Sequence, residues 1–92
     1  MQEEITHLLN YIETSDCVFI RNNSPHSPED AVQHIEKKYN YLKKRIRSTE
    51  DFIKGAATQS SISGRPYMII CEGVEMKTAD WLRIELKKYR SK

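Results

Sequence analysis

Arginine grips planar anions well because its guanidinium is always charged and presents its N–H groups as a rigid fork. Two arginines in this sequence stand in polar, loop-like stretches: Arg21 with Asn22 and His26, and Arg65 with Ser61, Ser63 and Tyr67. His34 follows the first stretch within a helical segment. If the two stretches meet in space, these side chains form one polar groove, with forked donors for a carboxylate, phosphate or acidic glycan and hydroxyls from Ser63 and Tyr67 beside them. Each also has a plainer structural use. Arg21 and Asn22 can hold the loop they stand in, Gly64 and Pro66 are turn residues, and Tyr67 suits a strand with its polar tip outward.

Other chemistry is less well supported. Asp30 and His34 lie four residues apart on one helix face with His26 just before them, a spacing that could hold a metal. The set lacks a ligand from a second element, and His34 adjoins an apolar stripe where a half-buried histidine is the plainer role. His7 with Glu3 is weaker still. Ser60, Ser61 and Ser63 stand in neither a G-x-S-x-G nor an S-x-x-K context, and no glycine-rich phosphate loop is present. Cys17 could serve as a nucleophile beside His26 or His34 only if its thiol were free. The chain therefore reads as a non-catalytic binding or interaction module without cofactor or metal. The alternative is a small metal-dependent or hydrolytic enzyme using His26, Asp30 and His34.

Composition sets the scale on which any such groove must be built. The 92 residues fit a single domain, and 30% charged against 38% hydrophobic residues, with three glycines and three prolines, matches a folded globular chain. The longest apolar run, Tyr67 to Cys71, is far short of the roughly 20 residues that cross a bilayer. Met1-Gln2-Glu3-Glu4 has neither the basic nor the apolar region of a signal peptide, so the expectation is a cytoplasmic protein or one whose leader has been removed. The net charge is only +2, too weak to imply nucleic acid. Lys37, Lys38, Lys43, Lys44, Arg45 and Arg47 crowd one segment, and Lys87, Lys88, Arg90 and Lys92 the C-terminus. They read as solvated helix faces, with a basic surface for nucleic acid or anionic lipid as a further alternative.

The elements that must position the groove follow from periodicity. Ile5, Leu8, Leu9 and Ile12 predict a first helix over about residues 2–15. Cys17 to Ile20 predicts a short strand, and Arg21 to Pro25 reads as a loop. Ser27-Pro28-Glu29-Asp30 is a helix start, and Val32, Ile35, Tyr39, Leu42 and Ile46 extend one apolar stripe over about residues 28–47. Ser48 with Asp51 caps a short third helix carrying Phe52, Ile53, Ala56 and Ala57. After a loop from Thr58 to Gly64, Tyr67 to Cys71 predicts a strand, Glu72-Gly73 a turn, and Val74 to Met76 its hairpin partner. Thr78-Ala79-Asp80 reads as the cap of a last helix with Ala79, Leu82, Leu86 and Tyr89 inward. The expected fold class is α+β, mainly helical, with about four helices and a small antiparallel hairpin or sheet of two to three strands.

Cys17 and Cys71 show no C-x-x-C spacing, which argues against a zinc ribbon or a thioredoxin-type pair. A structural disulfide, two buried thiols and a reactive cysteine all remain open at this level. One combination extends the reading: Cys17-Val18-Phe19-Ile20-Arg21-Asn22, then His26, Ala31, His34 and Lys38, then Ser61-Ile62-Ser63-Gly64-Arg65-Pro66-Tyr67, Cys71 and Trp81-Leu82. Over nearly its whole length the chain resembles the YfeK-like family of small bacterial exported proteins of unknown function. That resemblance implies a periplasmic or secreted protein with its leader removed and a Cys17–Cys71 disulfide. It implies no activity. The partner it suggests is an envelope protein or a small acidic ligand, with no nucleic acid and a monomeric chain expected. Asn23 stands where the family pattern suggests glycine, although asparagine also tolerates the left-handed conformation.

Overall fold

The computed structural model describes residues 1–60 and 62–91. Four helices carry the apolar stripes: α1 (Gln2–Thr14), α2 (Pro28–Leu42), α3 (Thr49–Ala56) and α4 (Thr78–Arg90). Ser27 and Ser48 cap α2 and α3, each accepting from the backbone N–H three residues on, at Asp30 and Asp51. Those caps satisfy donors that the first helical turn cannot pair internally.

The strands are β1 (Val18–Arg21), β2 (Ser24–His26), β3 (Met68–Cys71) and β4 (Val74–Lys77), joined in one antiparallel sheet in the order β2-β1-β3-β4. Cross-strand register places His26, Phe19, Ile69 and Met76 in one row. Phe19 and Ile69 from that row join the core with Ile5, Leu8, Ile12, Phe52, Ile53 and Leu82 of the helices. Helices thus cover one face of the sheet, which lets a sheet of strands this short persist. Val18, on the alternate register, remains 42% exposed.

Three sequence expectations need correction. The stretch from Arg21 to Pro25 is a hairpin, with Arg21 paired to Ser24 and Ile20 to Pro25. Asn22 and Asn23 turn it with φ of 53° and 66°, the positive values that a two-residue type I′ turn requires. Pro25 is tolerated because β2 is an edge strand. The second helix ends at Leu42 instead of residue 47, followed by a 3-10 turn over Lys43–Arg45. Ile46 and Ser48 must be extended to cap α3, and Gly55 lets the returning chain approach, since a Cβ there would lie 3.2 Å from Leu42 Cδ1. Lastly, Lys77 and not Thr78 is the N-cap of α4. Pairing of Lys77 with Met68 keeps the chain extended to that point, and Thr78 becomes a buried first helical residue whose N–H donates to the Tyr67 carbonyl at 2.9 Å.

Cys17 and Cys71 form a disulfide across the β1–β3 pair, with a Cα–Cα distance of 4.6 Å. Because these strands are antiparallel, the far end of β1, at Arg21, lies beside the start of β3, next to Tyr67. The bridge therefore fixes one end of the strand pair that positions the polar residues at the other.

Candidate functional site

His34 and Lys38 stand one turn apart on α2 and reach the same atom. Lys38 Nζ donates to Tyr67 Oη at 3.1 Å and to the Gln59 carbonyl at 2.9 Å, and His34 Nε2 lies 3.0 Å from Tyr67 Oη. The ammonium can only donate, so the hydroxyl accepts from Lys38, and the direction of the His34–Tyr67 bond follows the imidazole tautomer. His34 is held neutral down to about pH 4, first by burial and then by the positive charges of Arg21, Lys38, His26 and Lys37. Tyr67 itself is only 6% exposed, and its ring takes the Lys38 ammonium at 5.1 Å from the centroid and the His34 ring edge-on at 5.7 Å.

Arg21, Asn22, His34, Lys38, Ser60 and Tyr67 line an open groove of about 360 Å³. No aspartate or glutamate lines it. Among the described residues, neither Arg21 nor Lys38 has a carboxylate within 4 Å, in contrast to Arg83 and Arg90. The groove is therefore positively charged at neutral pH, with a buried hydroxyl and a neutral imidazole at its base. Ile62, 96% exposed, stands at its edge.

Of the residues singled out in the sequence, Arg21, Asn22, His34 and Tyr67 lie together on this groove. Ser63 donates through its hydroxyl to Asn22 Oδ1, which ties the β1–β2 turn to the second loop. His26 shares a smaller adjoining cavity with Arg21, His34 and Tyr67. Arg65 is exposed and does not line the groove, its backbone being taken up by the loop: its carbonyl accepts from Ser60 N–H and its N–H donates to Ser63 Oγ. Ser61 lies outside the described residues.

The His26, Asp30 and His34 set is not assembled for a metal. His26 Nδ1 is 4.0 Å from Asp30 Oδ2, His34 Nε2 is taken by Tyr67, and no group of three potential ligands occurs among the described residues. His7 pairs across helices with Glu85 at 2.7 Å, not with Glu3. Lys38 is the groove residue that composition hid, because it reads as one of many solvated lysines. Its signal was the four-residue spacing from His34, which puts both on one helix face.

Comparison with known proteins adds a family. Residues 1–90 match a family of unknown function, DUF5329. The chain is also 37% identical over 67 residues to a protein of Salmonella typhimurium named uncharacterized protein YfeK, a match covering 72% of this chain and 56% of that protein. The matched stretch thus spans little more than half the length of that relative. No solved structure matches the chain.

Proposed function

The chain belongs to the DUF5329 family, a family of unknown function, and we propose that it is a non-catalytic, exported single-domain protein whose groove holds an acidic group of a ligand or partner. One observation carries this reading: Lys38 and Arg21 face a common groove around the Tyr67 hydroxyl with no acidic side chain to balance them. A bound carboxylate or phosphate would receive charge-assisted hydrogen bonds there, each worth about 1.5–3 kcal/mol. The Tyr67 hydroxyl is taken up by His34 Nε2 and Lys38 Nζ, which suits a wall that shapes the groove better than a pair poised to move protons.

Export is supported by the Cys17–Cys71 bridge, since disulfides persist in oxidising compartments. Among the described residues, no helix is long and apolar enough to cross a membrane. An envelope protein presenting acidic side chains or a small acidic ligand would suit such a groove.

The test is equilibrium binding of inorganic phosphate and galacturonate at low ionic strength, with the protein and its Arg21→Ala/Lys38→Ala variant compared. The reading expects saturable binding that weakens with salt and falls at least tenfold in the variant. Equal binding by the variant would place the anion elsewhere.

A further inference from the structure

Among the described residues, the two most exposed large apolar side chains both border the basic groove. Ile62, 96% exposed, stands at its edge, and Tyr41, 83% exposed, shares the adjoining surface of α2 with His34, Lys37 and Lys38. The Ile62 turn is built, not loose. The buried Ser60 hydroxyl accepts from the Ile62 and Ser63 N–H groups, and the Ser60 carbonyl accepts from Gly64 N–H at 3.0 Å. Ser63 then ties this turn to Asn22 of the β1–β2 hairpin. A single exposed apolar residue is ordinary on a protein surface. Here the exposure coincides with charge: Arg21, Lys37, Lys38 and Lys54 line three adjoining depressions that share Lys38, and no aspartate or glutamate lines any of them. Among the described residues, none of these four cations has a carboxylate within 4 Å.

Apolar side chains beside unpaired cations match the boundary of an anionic bilayer, where phosphates lie just above the acyl chains. We infer that this face docks on an anionic phospholipid surface, with Arg21 and Lys38 taking a headgroup phosphate and Ile62 entering the acyl boundary. Tyr41, with an apolar ring and a polar tip, suits the headgroup level. This rests on the reading of the groove as an anion site and names a lipid headgroup as the source of the acidic group. A soluble acid would satisfy the cations and leave Ile62 in water. One isoleucine and a few cations give reversible attachment, not a permanent anchor.

The test is co-sedimentation of the protein with phosphatidylglycerol and phosphatidylcholine vesicles at low ionic strength, with binding of soluble glycerol phosphate and polyglutamate measured alongside. The expected result is saturable binding to phosphatidylglycerol vesicles that weakens with salt and that phosphatidylcholine vesicles do not match. Ile62→Ser should weaken vesicle binding about tenfold, the loss of most of one buried isoleucine, and leave glycerol phosphate binding unchanged. Arg21→Ala/Lys38→Ala should weaken both, vesicle binding by about fivefold for each cation removed. Ile84→Ser is the control, because Ile84 is also exposed beside lysines, Lys87 and Lys88, but lies outside the groove. It should change neither measurement, and melting curves report whether each variant folds. Unchanged vesicle binding by Ile62→Ser, or equal weakening by Ile84→Ser, overturns the inference and leaves the anion groove standing. Binding of polyglutamate or glycerol phosphate without binding of vesicles does the same, the first pointing to an acidic protein partner. Absence of binding to vesicles, glycerol phosphate and polyglutamate alike overturns both.

Discussion

Arg90 and the Arg21–Lys38 pair carry the same charge into different company. Arg90 lies between two carboxylates, with Nε 2.7 Å from Glu4 and Nη1 2.6 Å from Glu50, and so joins α4 to α1 and α3. Thr49 adds its hydroxyl to Glu4 at 2.6 Å. Hydrogen bonds from Arg90, then Thr49, hold the Glu4 carboxyl at about 2, the Glu50 carboxyl is lowered mainly by Arg90, and the guanidinium is raised by both. At the groove the cations gather around a hydroxyl and a neutral imidazole instead, and burial first, then these positive charges, push His34 down to about 4. Pairing makes the first cluster a fastening between helices, whereas the second keeps its charge available to something outside the chain.

The largest expected effect comes from releasing the staple that holds the groove's strands. Cys17→Ser/Cys71→Ser, or reduction, is expected to cost about 4 kcal/mol in the chain-entropy model for a closure across a sequence separation of 54, read by urea unfolding. Amide exchange should then rise first in β1 and β3 and last around the Arg90 fastening; a uniform rise would erase the distinction between the two regions.

Next in size is the loss of anion affinity in Arg21→Ala/Lys38→Ala, at least tenfold with the melting temperature maintained. A variant that loses stability as much as affinity would show these cations to be fastenings as well.

Smaller effects separate the regions by pH. Folded His34 takes its proton only near 4, while the unfolded side chain takes it near 6.5. The unfolded state therefore binds more protons between these values, and stability should fall as pH drops from 6.5 to 4. His34→Gln should flatten that stretch of the melting curve. Glu4 acts lower: its contribution is complete above its ordinary value of 4.5 and is lost as pH falls toward 2. Arg90→Gln should flatten only this acid limb, its loss of stability being small at neutral pH because the pairs are exposed, and vanishing toward pH 2. A change between pH 6.5 and 4.5 on Arg90→Gln would contradict the division.

Much of the fold was legible. Ser27 and Ser48 mark their helix starts by side-chain chemistry alone, the three-and-four spacing of Val32, Ile35 and Tyr39 selects the buried face, and Glu72-Gly73 announces the second hairpin. The first hairpin was hidden because Asn22, Asn23, Ser24 and Pro25 have loop composition, and only pairing with β1 makes Ser24 to His26 a strand. The Leu42 helix end was hidden because it depends on the close return of Gly55. In the site, Arg21, Asn22, His34 and Tyr67 could be named from residue type, and the strand pairing then brings them together. Lys38 gains its role only when Tyr67, 29 residues later, packs against α2. Arg65 loses its expected place because the loop backbone, with Gly64 at φ 73°, leaves its side chain exposed.

The most direct test of the groove is a ¹H–¹⁵N titration with galacturonate at low salt, followed residue by residue. The account predicts saturating shifts at Arg21, Asn22, His34, Lys38 and Tyr67, with Lys43 to Arg47 and Lys87 to Lys88 unmoved. Shifts confined to those two lysine- and arginine-rich segments, or none at all, would contradict it.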